Sequence, residues 1–445
     1  MGINSLKEYF KLKKILILAN DFYPSSKVAG FRPYGWFKYF NENGYYPIIV
    51  TTALNLEDCT SENEDEGGEG EILYAKYHEP LNRKLERKYN SLFFSLCRKF
   101  ITIYVESTLF YFNNKYRSTI YYSAKDYLKT HKDVHLIIAT GGPFILFKFA
   151  YLLSKEFSVP WVGDYRDTWT QSRQRNKFWY KKKINKHFEL KYSNDAIFIT
   201  TVSEYLKSLI SKNVKRPIHV VPNGFNDWNF HELDSIEEKR NILEIALAGT
   251  IYPHHPIESF IKGLYELLVH ENVTVKLDFY GINIKRELNN LITDKYPELL
   301  NNISFHKRMP NQELVGKLKK HHLLLVFNEH KIAGTKIFEY LAIRRNILLC
   351  FIHDEDAIEL YRQKYIVLGV DNNDHSISIQ KEIIDKTNSG FSIKNRKDLI
   401  LKLKDLNETL KSNNGKMGFT NGDISMFSRR EQTKWYAKLI DNANI

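Results

Sequence analysis

The feature that most constrains this chain is a series of short, continuous apolar runs separated by helical patterns. In the first half the runs are ILILAND (15–21), PIIVTT (47–52), HLIIATG (135–141), PWVGD (160–164), AIFITTVS (196–203) and IHVVPNG (218–224). In the second half they are EIALAGT (244–250), VKLDFYG (275–281), ISFHKR (303–308), HLLLVFN (322–328) and NILLCFI (346–352). Most do not alternate apolar with polar, so they predict strands buried on both faces, as in parallel sheets. Helical stretches lie between them, such as 31–44, 143–157, 256–270 and 311–321. Repeated β-α alternation predicts an α/β architecture with right-handed crossovers.

The pattern runs twice, with a break in the polar stretch NDWNFHELDSIEEKRN (226–241). Two Rossmann-like domains facing a cleft are therefore expected, over residues 1–228 and 229–418, with a C-terminal helix in 419–445 packing back. A length of 445 residues agrees with two cores rather than one. Three cysteines, Cys59, Cys97 and Cys350, are odd in number and form no CxxC pair. They suggest neither a disulfide framework nor a zinc site, which predicts a cytoplasmic protein. The run at 15–19 is too short for a signal peptide and no stretch reaches about 18 apolar residues, so no spanning helix is expected. The net charge of +13 favours anionic partners. The stretch EDCTSENEDEGGEGE (57–71) runs against that balance and reads as an acidic surface loop.

In such sheets ligands sit beyond the carboxyl ends of the strands. No GxGxxG follows the first strand, which argues against a plain dehydrogenase. The stretch GTKIFEYLA (334–342) follows one apolar run and precedes another. Gly334 allows close backbone approach, Thr335 fits an N-cap, and a helix N-terminus with free N–H groups attracts anions. Lys336 stands at the end of the helix where the dipole gives it no help, which suggests an anionic partner. Glu339, one turn on, could accept two hydroxyl hydrogen bonds. An ordinary capped helix with a surface Glu–Lys pair fits the local residues as well.

Taken in order, 137–170, TTVSEYLKSLI (200–210), VPNGFN (221–226), LAGTIY (247–252) and GTKIFEYLA (334–342) resemble glycosyltransferases of family 4, above all the bacterial members that build surface polysaccharides. The matches span about 14–440. The resemblance implies the GT-B fold, an acceptor in the first domain and a nucleotide-sugar donor in the second. It implies no cofactor and no metal, with retention at the anomeric carbon. Of the family's Glu-x7-Glu motif, Glu339 matches the second, ribose-binding position, and Lys331 stands at the first. Glu329 is near but out of register. Thr335 to Tyr340 is similar to a Ser-Lys-x-x-Glu-Tyr variant. The Gly249–Thr250 loop would lie near the donor phosphates, with His254 and His255 in reach of the diphosphate, and Lys336 would stabilise the leaving group.

Elsewhere the readings stay open. Gly30, in SSKVAGFRPYG (25–35), suits a loop at the phosphates or acceptor, or a simple helix entry, and Arg32 could add charge. Asp164 and Asp167, in PWVGDYRDTW, fit an internal network with Arg166 or a base towards the acceptor hydroxyl. The basic-aromatic KFWYKKKINKHFELKY (177–192) and the apolar FFSLCRKFITIYVESTLFYF (93–112) fit an anionic membrane surface and a lipid-linked glycan acceptor, or internal packing. That would make the protein peripheral at the inner face of the plasma membrane. Nothing resembles a nucleic-acid-binding module, so nucleic acid is not the expected partner. An epimerase of the same fold, a catalytically inactive GT-B protein and a basic, aromatic-rich nucleic-acid-binding protein are the alternatives.

Overall fold

A computed structural model describes residues 12–22, 28–53, 70–76, 78, 92–111, 118–171, 176, 178–227, 239–368 and 378–443. The acidic stretch 57–71 lies outside them except for Gly70 and Glu71, as does most of 226–241. The chain divides into two compact units. The first comprises Met1–Asn223 with Arg429–Ile445, the second Gly224–Ser428. The boundary falls a few residues before the 228 expected from composition, and the terminal segment joins the first unit from Arg429 on.

The first unit is built on a seven-stranded sheet of order β3-β2-β1-β4-β5-β6-β7, every pairing parallel. Its strands are β1 (Lys13–Leu18), β2 (Tyr45–Ala53), β3 (Glu71–Lys76), β4 (Val134–Thr140), β5 (Trp161–Tyr165), β6 (Ile199–Thr201) and β7 (Ile218–Val220). Helices α1 (Val28–Tyr39), α2 (Leu92–Thr108), α3 (Ile145–Phe157) and α4 (Trp179–Ser193) are among those that connect them. Residues Ile15 to Leu18 have no solvent exposure, which is why β1 reads as an unbroken apolar run. The C-terminal helix Arg429–Asn442 lies against α1, with the rings of Trp36 and Tyr436 5.1 Å apart.

The second unit carries a six-stranded parallel sheet of order β10-β9-β8-β11-β12-β13. The strands are β8 (Leu243–Ala248), β9 (Val275–Tyr280), β10 (Ile303–His306), β11 (Leu323–Phe327), β12 (Asn346–Cys350) and β13 (Gly390–Ile393). Helices α5 (Ile257–Glu271), α6 (Lys336–Ile343) and α7 (Ile379–Thr387) bear on the site described below. Leu323, Leu324 and Leu325 are fully buried between the two faces, each worth about 1.5–3 kcal/mol of transfer free energy. Among the described residues, no helix is long and apolar enough to cross a membrane.

Candidate functional site

In the second unit the strand order reverses between β8 and β11, which are neighbours although β9, β10 and the helices around them lie between the two in the chain. At such a switch point the connections leave in opposite directions and open a crevice at the carboxyl ends. Gly249 and Thr250 leave β8 there, and Asn328, Glu329 and His330 leave β11. Helix α6 opens at the same end with Lys336.

Gly249 has φ +81, a conformation that favours glycine, and its N–H donates to the Tyr280 carbonyl at 2.8 Å. A Cβ here would lie 3.0 Å from Lys336 Cε. Lys336 Nζ donates to the Thr250 carbonyl at 3.2 Å, so the lysine lies along this loop. From its second residue α6 turns into the core: Ile337, Phe338 and Leu341 are buried. Tyr340 Oη accepts the Ala248 N–H at 3.0 Å and so ties the helix to the last residue of β8. The expected N-cap is not made. Thr335 has helical φ and ψ and its side chain caps no N–H. The space where a Cβ of Gly334 would stand is open.

Burial pushes the Lys336 ammonium down to about 8, against the opposing pull of Glu339 and Glu329. Burial likewise pushes the Glu339 carboxyl up to about 6, against Lys336. Two opposite charges one helical turn apart, both paying for lost hydration, are a site where a charged, hydrogen-bonding ligand gains most.

Glu329 forms a second group beside them. His254 Nε2 lies 3.1 Å and His255 Nε2 2.9 Å from Glu329 Oε1. The Glu329 N–H donates to Gln380 Oε1 of α7 at 2.5 Å. Asn328 Oδ1 accepts from the His330 N–H at 3.1 Å and from Ser378 Oγ at 2.8 Å. His330 itself stands at φ +48, a strained conformation for a side chain that branches into a ring. The strand end is thus locked from four directions around one carboxylate.

The three ligand atoms of His254, His255 and Glu329 lie within 4.8 Å of one another and are the one such metal-capable group among the described residues. The local chemistry favours a proton there. His255 Nδ1 accepts the Tyr252 N–H at 3.3 Å, so its own proton sits on Nε2 and faces Glu329, leaving no lone pair for an ion. Burial pushes the His255 imidazole down towards the neutral form, against Glu329, and Lys336 adds to the lowering.

In the first unit the order reverses between β1 and β4, beside Asn20–Asp21 and Gly141–Gly142. The candidates here separate. Asp164 has no solvent exposure, and its Oδ1 accepts from Arg32 Nη2 at 2.8 Å and Thr200 Oγ1 at 2.7 Å. Arg32 Nη1 also donates to the carbonyls of Val221 and Pro222 at 2.9 and 3.1 Å. Asp164 therefore hydrogen-bonds Arg32, which is a buried strut rather than a free charge at a ligand, while the charges of Asp164 and Asp167 both act on the Arg166 guanidinium. Arg166 instead donates to three carbonyls, of Ala29 (2.6 Å), Gly141 (3.2 Å) and Gly142 (3.1 Å). A planar fork with several donors can bridge a helix start and a strand end in this way. Asp167 is exposed, its Oδ2 3.7 Å from where a Gly142 Cβ would stand. Gly30 is not in a loop. It lies inside α1, buried, and a Cβ there would stand 3.1 Å from the backbone of Phe22. Its absent side chain lets the helix approach the chain leaving β1.

Nothing in the sequence points to Gln380, and the motif pattern assigns Tyr340 no role of its own and leaves Glu329 out of register. The signal for Glu329 was present, a carboxylate two residues past the apolar run 323–327, but a fixed motif spacing set it aside.

No family model matches the chain, and no curated protein matches it. Solved structures do. HepE from Anabaena, in complex with UDP and glucose, aligns with 97% of this chain and 100% of its own at 12% identity, TM-score 0.54. TarM aligns over 98% and 99% at 13% identity, TM-score 0.53. A candidate UDP-N-acetylglucosamine 2-epimerase from Listeria monocytogenes aligns over 97% and 96% at 10% identity, TM-score 0.50. Two parallel-sheet Rossmann-like domains, each with its own switch point, and end-to-end alignment with these structures give the chain the GT-B fold.

Proposed function

We propose that the protein is a glycosyltransferase of the family 4 kind, moving a sugar from a nucleoside diphosphate sugar to a hydroxyl acceptor. The observation that carries this is the pairing of Lys336 and Glu339 on the first turn of α6, at the β8–β11 switch point. Lys336, the first N–H groups of α6 and the Gly249–Thr250 loop would hold the diphosphate. Glu339 would accept both ribose hydroxyls. Glu329 supplies the carboxylate that the family pattern has two residues later, where Lys331 stands, and with His254 and His255 it would meet the sugar. Asp167, exposed where Asp164 is sealed, would take the proton from the acceptor hydroxyl.

Departure of a diphosphate develops negative charge on the leaving oxygens. A lysine and oriented N–H groups stabilise it without proton transfer, and positioning supplies the rest. Retention at the anomeric carbon and a lipid-linked glycan acceptor in surface polysaccharide synthesis complete the reading. HepE, solved with UDP and glucose, supports the donor class through a shared fold.

A thermal-shift screen of nucleosides, nucleoside diphosphates and their sugars tests it, because a ligand of the folded state raises its stability. Stabilisation by one nucleoside diphosphate and its sugar is expected. No shift with any of them would remove the donor site. Epimerisation of the sugar without acceptor would assign the same site to the epimerase reaction instead.

A further inference from the structure

Two neighbouring strand ends in the second unit close in the same way. Gly249 follows β8 at φ +81, and its N–H donates to the Tyr280 carbonyl at the end of β9 at 2.8 Å. Gly281 follows β9 at φ +61, and its N–H donates to the His306 carbonyl at the end of β10 at 3.0 Å. The two glycines thus make one bare ledge along the carboxyl ends of β8, β9 and β10. Each faces a long cationic side chain. A Cβ at Gly249 would stand 3.0 Å from Lys336 Cε, and one at Gly281 would stand 3.3 Å from Arg308 Cα and 3.7 Å from its Cγ.

Lys336 has a protein partner, the Thr250 carbonyl. Arg308 is exposed, and among the described residues its guanidinium makes no hydrogen bond, ion pair or ring contact. The ledge therefore ends in a planar fork of donors that the fold itself does not use. The strand order gives the direction of a bound donor. The sheet runs β10-β9-β8-β11. In the sugar-transfer reading, on which this inference rests, the sugar meets Glu329 at β11 and the diphosphate meets Gly249 at β8. The nucleoside leaves the diphosphate on the side away from the sugar, along β9 and β10. Helix α6, which carries Glu339 for the ribose, borders that side, since Tyr280 and Met309 pack in one apolar cluster with Phe338 and Tyr340. Two strand spacings, about 10 Å, put the end of β10 one ribose beyond the diphosphate.

We propose that Arg308 reads the nucleobase and that the base is guanine, which makes the donor a GDP-sugar. An arginine fork offers two parallel N–H groups, and guanine sets two acceptors, N7 and O6, side by side on its outer edge. Adenine sets an amino donor beside its N7, and uracil sets the N3–H donor beside each of its carbonyls, so both would turn a donor towards the fork. Cytosine also has neighbouring acceptors, N3 and O2, and is the competitor that the test includes.

Calorimetric titration of the full chain with GDP, UDP, ADP and CDP tests it, together with two analogues of GDP. Inosine diphosphate keeps N7 and O6 and lacks only the 2-amino group; 7-deaza-GDP replaces N7 by a C–H. GDP should bind about tenfold or more tightly than the other three nucleotides. Inosine diphosphate should bind like GDP, and 7-deaza-GDP about tenfold more weakly. Arg308→Ala should lower GDP affinity about tenfold and leave UDP and ADP unchanged, which erases the preference. The position is exposed, so the melting temperature should stay near that of the parent chain, which checks folding. The proposal is overturned if UDP, ADP or CDP binds as tightly as GDP, or if 7-deaza-GDP matches GDP. It is overturned equally if Arg308→Ala weakens every nucleotide alike, which would make Arg308 a phosphate contact, or weakens none. Tight binding of a nucleotide other than GDP that is lost in Lys336→Ala would sink the base assignment and keep the donor site. Binding of no nucleotide would remove the donor site itself.

Discussion

Lys336 Nζ donates to the carbonyl of Thr250, 86 residues earlier, at 3.2 Å. The contact joins the start of α6 to the loop after β8 and sets the lysine across Gly249. Gly249→Ala adds a methyl where φ is +81 and where Lys336 Cε lies 3.0 Å away. The left-handed backbone alone costs about 1–2 kcal/mol. The expected outcome is a lower melting temperature together with weaker nucleoside diphosphate binding. A variant with unchanged binding would show that the position of Lys336 is not tied to this glycine.

Binding should depend on pH at both flanks. In the unliganded site Lys336 titrates at about 8 and Glu339 at about 6. A diphosphate needs the ammonium, so affinity falls as pH rises through about 8. The ribose hydroxyls need the carboxylate, so affinity falls as pH drops through about 6. A bell-shaped affinity profile with apparent flanks at the pair's values is expected from titrations at several pH values. Above the upper flank, binding should take up a proton, read from the dependence of binding heat on buffer. A flat profile would place the ligand elsewhere.

Glu329→Gln separates the two ends of the donor. It keeps the backbone bond to Gln380 but weakens the two imidazole contacts by about 1–3 kcal/mol. Turnover of the nucleotide sugar should fall while affinity for the free nucleoside diphosphate stays the same. Equal loss of both would mean that Glu329 holds the fold of the strand end rather than the sugar.

The two aspartates after β5 should part company. Asp164→Ala leaves the Arg32 guanidinium buried without its carboxylate, a loss of about 3–5 kcal/mol. Asp167→Ala, at an exposed position, should leave the melting temperature nearly unchanged and lower transfer to the acceptor. Full transfer activity in Asp167→Ala would exclude the base role.

Asp278 gives an acid-sensitive joint in the second sheet. Burial raises its carboxyl, but His321 and His306, at 2.9 and 2.8 Å, outweigh that and hold it below its ordinary value of 3.8. A depressed carboxylate stabilises the fold above 3.8, and the contribution disappears as pH falls through the lower folded value. Asp278→Asn should therefore cost about 1–3 kcal/mol at neutral pH, with the difference from the parent chain closing below about pH 4 in thermal melts.

The central strands were legible in the sequence because burial on both faces demands unbroken apolar runs. The strands that escaped were β3, EILYAK, and β13, GFSI. Both are sheet edges, solvated on one side, so nothing forces an apolar run there. The Lys336 and Glu339 candidates could be found because the short helix GTKIFEYLA opens in the connection between two unbroken apolar runs. Arg32 pairing with Asp164 spans 132 residues, and Gln380 reaches Glu329 across 51. No local pattern announces such contacts; they come from tertiary packing. Gly30 misled because a glycine near a strand end reads as a ligand loop, whereas here it serves close packing of a helix on the chain at Phe22.

The most direct measurement is a calorimetric titration of UDP, GDP and ADP into the parent chain, Lys336→Ala and Glu339→Ala. One nucleotide should bind the parent chain, with a loss of about 1–3 kcal/mol, tenfold or more, in each variant at an unchanged melting temperature. The same affinity in all three proteins would contradict a nucleotide site at the start of α6.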